Sequence, residues 1–176
     1  MAADGRKRTL GSSSSVTLEA QDALAAHLVA THGRAQEAEL VQREALAARD
    51  GLAAGSSHRR PDRSMLLALS TLGQALRLQK KLQESAVHFR KAYELCRDTQ
   101  ELGGPTSPNT FAAASNLASV LHEAGESQEA GRLYKMAALG LQRTLGLEYP
   151  NTRGARQNYE SFLKEAHLAS EPENES

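Results

Sequence analysis

Histidine and cysteine are the side chains of this sequence that could most readily ligate a metal or act as a nucleophile. The six histidines are dispersed, and they form neither an H-E-x-x-H motif nor a cluster with the single cysteine, Cys96. A zinc site needs three or four such ligands at short, defined spacings. We therefore expect no metal site and no cofactor. The histidines are His27, His32, His58, His88, His122 and His167.

The serines and glycines also lack the spacing of a known catalytic motif. The serine run at 12–15 is not followed by the G-x-S-x-G pattern of a nucleophile elbow. The stretch Gly103-Gly104-Pro105 lacks the G-K-[ST] of a phosphate-binding loop, so it indicates a turn. Cys96 lies on an apolar stripe of a predicted helix, which is typical of a buried, unreactive thiol. The sequence therefore predicts that the protein is not an enzyme.

The composition predicts an all-α protein. Apolar residues make up 40% of the chain, yet aromatic residues make up only 4% and tryptophan is absent. A core with so few rings must be filled mainly by Ala and Leu, which are strong helix formers. No segment alternates apolar and polar residues with the period of two that a half-buried strand would show.

The charge balance limits the classes of partner. Lys plus Arg and Asp plus Glu both number 21, whereas binding to nucleic acid or to an anionic membrane usually needs a basic surface. No apolar run approaches the ~20 residues that cross a bilayer. We expect no nucleic-acid partner and no membrane insertion. A single cysteine favours a reducing, cytoplasmic location, with mitochondrial targeting by the basic, Ser-containing N-terminus as a weaker alternative.

Internal repetition is the main feature of the sequence. The tripeptide Pro-Asn-Thr occurs at 108–110 and at 150–152, and Asn116 and Asn158 recur at the same interval of 42 residues. After the first tripeptide, apolar spacings of three and four predict a helix over 109–123. Gly125 then predicts a turn, and a second helix follows over 127–144. Each Pro-Asn-Thr therefore marks the start of a helical hairpin.

Two earlier segments repeat the same pattern. Residues 64–97 place matching residues 45 positions earlier, although Lys80-Lys81 stands where the later repeat has Gly125. Residues 17–49 form a weaker copy, in which Gln42 occupies the position of the aromatic residue. The matching positions of the better copy are Leu72, Gly73, Leu76, Ser85, Phe89 and Ala92.

The pattern resembles the tetratricopeptide repeat (TPR). The residues that resemble it are Asn116-Leu117-Ala118, Leu121, Gly125, Ala130, Tyr134 and Ala137. Small residues such as Ala118, Ala130 and Ala137 let two antiparallel helices approach closely. The 42-residue period and the LG-x-x-x-P-N-T connector are similar to the repeats of kinesin light chains. Over about residues 15–168, the resemblance implies a right-handed α-solenoid of antiparallel hairpins, with about three repeats plus a final helix.

The predicted organisation follows from these repeats. It comprises a disordered N-terminus (1–14), a degenerate hairpin (15–50), a connector (51–62), a hairpin (63–99), a connector (100–108), a hairpin (109–145), a final helix (150–168) and a disordered tail (169–176).

The resemblance also implies a function. TPR proteins generally hold an extended peptide in a concave groove lined by the first helices, so we expect a non-catalytic adaptor or scaffold that binds a partner protein. An Asn amide can donate to and accept from a peptide backbone at once, which favours Asn116 and Asn158. These two could instead contact the preceding connector or simply face water. The candidate groove residues are Thr71, Gln74, Asn116, Ser119, His122 and Asn158.

Two alternatives remain open. The chain could be a piece of a larger TPR array, or it could self-associate. If the final helix leaves Tyr159, Phe162 and Leu163 on an open apolar face, we expect this face to recruit another copy. A subunit that regulates an enzyme is the less favoured alternative.

Overall fold

The computed structural model describes residues 15–31, 33–54 and 63–170. In these residues the chain forms α-helices and one short 3₁₀ helix at Gln100–Leu102, without any strand. The prediction of an all-α protein is therefore confirmed. The predictions for 1–14 and for the last residues of the tail fall outside the described residues. The helices are α1 (Ser15–Ala30), α2 (Ala35–Ala54), α3 (Arg63–Leu78), α4 (Leu82–Asp98), α5 (Pro108–Glu123), α6 (Ser127–Leu145) and α7 (Pro150–Ser170).

The helix bounds differ slightly from those expected at two places. Helix α2 continues to Ala54, into the segment that the sequence assigned to a connector, and α7 continues to Ser170. By contrast, α5 and α6 begin and end within one residue of the predicted helices. The chain divides into two compact units, one up to Leu95 and one from Cys96 onward.

The first unit is built from α1, α2, α3 and most of α4. Helix α1 packs against α2 and α3, and α2 packs against α3. In the hairpin of α3 and α4, the Ser85 hydroxyl donates a hydrogen bond of 2.7 Å to the Gly73 carbonyl. A Cβ on Gly73 would lie 3.0 Å from the ring of Phe89. The small residues predicted at the crossing therefore do bring these two helices together.

A polar network replaces the aromatic residue in the first hairpin. Gln42 is fully buried, and its amide donates a hydrogen bond of 2.9 Å to Oδ1 of Asp22 on α1. The other carboxylate oxygen of Asp22 pairs with the guanidinium of Arg49, and both charged residues are almost completely buried. This degenerate repeat thus joins α1 to α2 by charge and hydrogen bonding where the later repeats use a ring.

The α3–α4 turn is stabilised without a glycine. Lys80 takes a left-handed conformation (φ +61°), whereas Gly33 and Gly125 take the corresponding conformation in the other two hairpin turns. Its neighbours Gln79 and Lys81 both donate 2.8 Å hydrogen bonds to the carboxylate of Glu39 on α2. These bonds fix the turn from both sides of Lys80, which helps a residue with a Cβ to hold this conformation.

The second unit consists of the 3₁₀ helix and α5 to α7. Helices α5 and α6 pair along their length, and α7 packs on both. The buried interface contains the small residues Ala118, Ala130 and Ala137 together with the ring of Tyr134. Phe111 of α5 packs directly on Gly140 of α6.

The first Pro-Asn-Thr fixes the start of α5. Ser107 is the N-cap residue, and its hydroxyl accepts a hydrogen bond from the Thr110 amide at 3.2 Å. The Thr110 hydroxyl donates to the Gly104 carbonyl at 2.7 Å, and the Asn109 amide donates to the Leu102 carbonyl at 3.2 Å. Asn and Thr of the tripeptide therefore tie the helix to the preceding connector.

Candidate peptide-binding surface

The predicted groove residues lie in both units. Thr71 and Gln74 are on α3 of the first unit, whereas Asn116, Ser119 and His122 on α5 and Asn158 on α7 belong to the second unit. Each group is therefore assessed within its own unit.

Asn116 and Asn158 are the most accessible of the candidates. Both side chains are exposed, and neither amide has an intramolecular partner within the described part of the chain. The bond to the connector that we considered for them is made by Asn109 instead, at the start of α5. They lie at equivalent positions of α5 and α7, two helices in mutual contact. Both amides are therefore free to bind another molecule.

Ser119 is engaged inside the hairpin. Its hydroxyl donates a hydrogen bond of 3.1 Å to the Ser115 carbonyl and accepts one of 3.2 Å from the hydroxyl of Tyr134 on α6. Ser119 is half-buried, and it satisfies the hydroxyl of the conserved-position ring predicted from the repeat pattern. Its main contribution is to link α5 to α6.

His122 packs between aromatic rings. Its ring meets Phe162 of α7 edge-on at 5.0 Å between centroids, and Tyr134 of α6 at 6.2 Å. Its Nε2 lies 3.2 Å from a carboxylate oxygen of Glu165 on α7, an ion pair whenever the imidazole is protonated. His122 therefore joins three helices, and it positions the two helices that present Asn116 and Asn158.

A glycine makes room for the ring of Phe162. A Cβ on Gly131 of α6 would lie 2.7 Å from that ring. The apolar face considered for self-association is consequently reduced, since Phe162 faces inward. Leu163 remains 46% exposed on the same helix. The sequence could not show this packing, because it depends on how α7 lies across α5 and α6.

The two candidates of the first unit are less accessible. Thr71 is buried at 8% exposure, so a peptide could not reach its hydroxyl in this conformation. Gln74 is half-buried, and its Oε1 accepts a long hydrogen bond of 3.4 Å from Arg77. We leave Thr71 out of the proposed surface for this reason.

The described residues contain no group of three or more His, Cys, Asp or Glu side chains that could hold a metal ion. Among the same residues, no helix combines the length and the apolar character that crossing a membrane requires.

Known proteins support the repeat interpretation. The family model for the tetratricopeptide repeat matches residues 64–143. No curated protein matches the sequence. The structure is similar to a crystal structure described as nearly identical TPR-like repeats of a kinesin light chain from Podosopora anserina. The TM-score is 0.75 and the identity is 20%, and the match covers 94% of this chain and 74% of that one.

An identity this low shows the fold alone, and the fold agrees with the predicted similarity to kinesin light chain repeats. Matching of 64–143 to the family model adds the repeat itself, over the hairpins of α3 with α4 and α5 with α6. The protein is therefore a tetratricopeptide repeat protein with the fold of a TPR-like repeat solenoid.

Proposed function

We propose that this protein is a non-catalytic adaptor or scaffold that binds a peptide segment of a partner protein across α5 and α7. Tetratricopeptide repeats are generally protein–protein interaction modules, and their fold is typically non-catalytic. The observation that most supports this surface is the pair Asn116 and Asn158. Both amides are exposed and unpartnered within the described residues, one repeat apart on helices in contact.

The spacing of the two helices suits an extended peptide. Packed helices lie roughly 8–10 Å apart, and an extended chain rises roughly 3.3 Å per residue. Two amides on neighbouring helices would therefore meet peptide groups about three residues apart. Each amide offers an acceptor oxygen and two donor hydrogens, so it can bond both the N–H and the C=O of one peptide residue. Such contacts hold the backbone and leave sequence selection to other side chains.

The expected strength of this contact is modest. A hydrogen bond contributes about 0.5–1.5 kcal/mol net, so each Asn contributes on the order of 1–2 kcal/mol. A short peptide held in this way would bind with a dissociation constant of ~1–100 μM.

Affinity capture from native lysate with mass spectrometry tests the proposal. We compare the wild type with a variant carrying Asn116→Ala and Asn158→Ala. A matched control carries Gln128→Ala and Gln142→Ala, which remove two exposed amides from α6. Partners retained by the wild type and the control, but lost by the double Asn variant, support the surface. Equal capture by all three proteins contradicts it.

The alternatives receive less support. Self-association through α7 has lost most of its apolar face, because Phe162 packs inward and Leu163 is the large apolar residue left exposed there. A piece of a larger array, a regulatory subunit of an enzyme, a cytoplasmic location and the lack of a nucleic-acid partner stay predictions from sequence.

A further inference from the structure

The first unit contains a cleft that the proposed peptide surface does not use. It lies between α2 and α4, above the first turns of α3, and has a volume of about 440 Å³. This is within the range of about 300–1,000 Å³ that is usual for ligand-binding pockets. Neither Thr71 nor Gln74 lines it.

An ion pair closes one end of the cleft. The Arg43 guanidinium on α2 lies 2.7 Å from the carboxylate of Glu84 on α4. Two helical turns further along the same helices, Asp50 and Lys91 line the opposite lips. Both are exposed, and neither forms an ion pair within the described residues. The open end of the cleft therefore presents one unpaired negative charge and one unpaired positive charge.

A histidine lies between these two ends. His88 is half-buried, and its Nδ1 is shielded from solvent without a hydrogen-bond partner within the described residues. Burial lowers the pKa of His88, and the positive charges of Lys91 and Arg43 lower it further. The neutral ring can donate one hydrogen bond and accept another. A ligand that bonded Nδ1 would satisfy a group whose isolation is unfavourable.

The floor of the cleft is apolar. It consists of Leu46 from α2 and of Met65, Leu69 and Leu72 from α3. Methionine adapts its shape to different apolar side chains, because its three side-chain bonds rotate freely. The floor would therefore bind a bulky apolar group.

The terminal and connecting segments of the chain do not match this chemistry. Residues 53–62 and 169–176 contain no large apolar side chain that could fill the floor. The connector also contains Arg59 and Arg60, which Lys91 would repel. The N-terminal segment has Leu10, but it is basic through Arg6, Lys7 and Arg8. A partner that supplies an acid and an apolar residue fits the cleft better.

We propose that the cleft between α2 and α4 is a second peptide-binding site, which takes a bulky apolar side chain flanked by an acidic residue at Lys91 and a basic residue at Asp50. Opposite, unpaired charges on the two lips set the direction in which the peptide lies, and the apolar floor supplies most of the affinity. The site does not depend on Asn116 or Asn158.

Nuclear magnetic resonance titration of the full chain with synthetic peptides tests this proposal. The probes are capped Glu-Ala-Leu-Leu-Ala-Lys, the same residues with Glu and Lys exchanged, and a version of each with both leucines replaced by alanine. We expect one of the two leucine peptides to shift the amide signals of Leu46, His88 and Lys91. The alanine versions should produce no such shifts.

Charge variants then test the direction. Lys91→Glu should weaken binding of the preferred peptide by about fivefold or more, in line with the loss of one attractive charge and the gain of a repulsive one. The double variant Asp50→Lys with Lys91→Glu should prefer the peptide with exchanged charges. Lys135→Glu, an exposed residue of α6, is the matched control and should leave binding unchanged.

Three outcomes would overturn the proposal. Neither leucine peptide might shift these signals at millimolar concentration, or Lys91→Glu could bind the preferred peptide as tightly as the wild type. Alternatively, replacing residues 55–62 by Gly and Ser could shift the same signals without peptide, which would identify the connector as the occupant. The Asn116 and Asn158 variants should bind these peptides normally, so failure here leaves the α5–α7 surface untouched.

Discussion

The ring of Phe111 on α5 lies against the backbone of Gly140 on α6, so closely that a Cβ there would be 2.4 Å from two ring carbons. Both residues are buried. Glycine in the middle of a helix is normally unfavourable by roughly 0.5–1 kcal/mol relative to alanine. Here the close approach of the two helices requires it. The hairpin of α5 and α6 therefore depends on the absence of one methyl group.

We predict that Gly140→Ala destabilises the protein by about 1–3 kcal/mol, because overpacking outweighs the gain in helix propensity. Urea unfolding followed by circular dichroism measures the change. Gly154→Ala in α7 is the control, since a Cβ there meets nothing within 4 Å. It should stabilise by about 0.5–1 kcal/mol. If both variants changed stability by the same amount, the close contact with Phe111 would not determine packing.

The turn at Lys80 gives a prediction of opposite sign. Lys80→Gly should stabilise the protein by about 0.5–1 kcal/mol, since it removes the cost of a left-handed conformation at a residue with a Cβ. The reciprocal change Gly125→Lys should destabilise by a similar amount, because only backbone strain opposes a Cβ at that open position. Thermal unfolding measures both. A destabilising Lys80→Gly would mean that the side chain of Lys80 contributes more than its strained backbone costs.

Glu39 predicts a dependence of stability on pH. Burial alone would raise the pKa of this carboxyl group, but hydrogen bonds from Lys81, Gln79 and Arg43 together outweigh burial and lower the pKa from 4.5 to about 2. Because the folded-state pKa is depressed, this contribution is present above the unfolded-state pKa of about 4.5. It is lost as the pH falls through about 2.

We therefore expect Glu39→Gln to destabilise by about 2–3 kcal/mol at pH 7. The difference from the wild type should shrink steadily as the pH falls from 4.5 to 2, as measured by urea unfolding at each pH. Glu37→Gln, on the exposed side of the same helix, should have a much smaller effect at every pH. A difference that stayed constant with pH would show that packing, and not the carboxylate charge, explains the contribution of Glu39.

The buried pair of Asp22 and Arg49 gives a further test. Asp22→Ala should destabilise the first hairpin by about 3–5 kcal/mol, because Arg49 would be left buried without its counter-charge. Replacing both residues, as in Asp22→Leu with Arg49→Met, should cost much less. Equilibrium unfolding of the two variants compares them. A double variant at least as unstable as Asp22→Ala would show that the cost comes from lost shape and not from an isolated charge.

The repeat pattern predicted the helices of the second unit well, because spacings of three and four with a glycine turn define a hairpin locally. It also located Gln42 as the departure in the first hairpin. The partners of Gln42 could not be predicted, since Asp22 and Arg49 meet it only when α1 and α2 pack. Lys80 was recognised as unusual, but Glu39, which supports its turn, lies on another hairpin.

The same reason limited the prediction of the site. Helical spacing placed Asn116, Ser119 and His122 on one helix, but it could not distinguish exposed residues from those engaged with α6 and α7. The structure shows that Tyr134 binds Ser119 and that Phe162 packs on His122. Only tertiary packing separates the free amides from these structural contacts. The cleft between α2 and α4 was missed altogether, because Asp50 and Lys91 come from different hairpins.

The most direct test of the peptide-binding surface is calorimetric titration of the captured partner's peptide into the wild type and into the variants Asn116→Ala and Asn158→Ala. We predict that each substitution raises the dissociation constant by about 5–30-fold, from the loss of about 1–2 kcal/mol of hydrogen bonding. The control with Gln128→Ala and Gln142→Ala should bind as the wild type does. Dissociation constants within twofold of the wild type for both Asn variants would contradict the account.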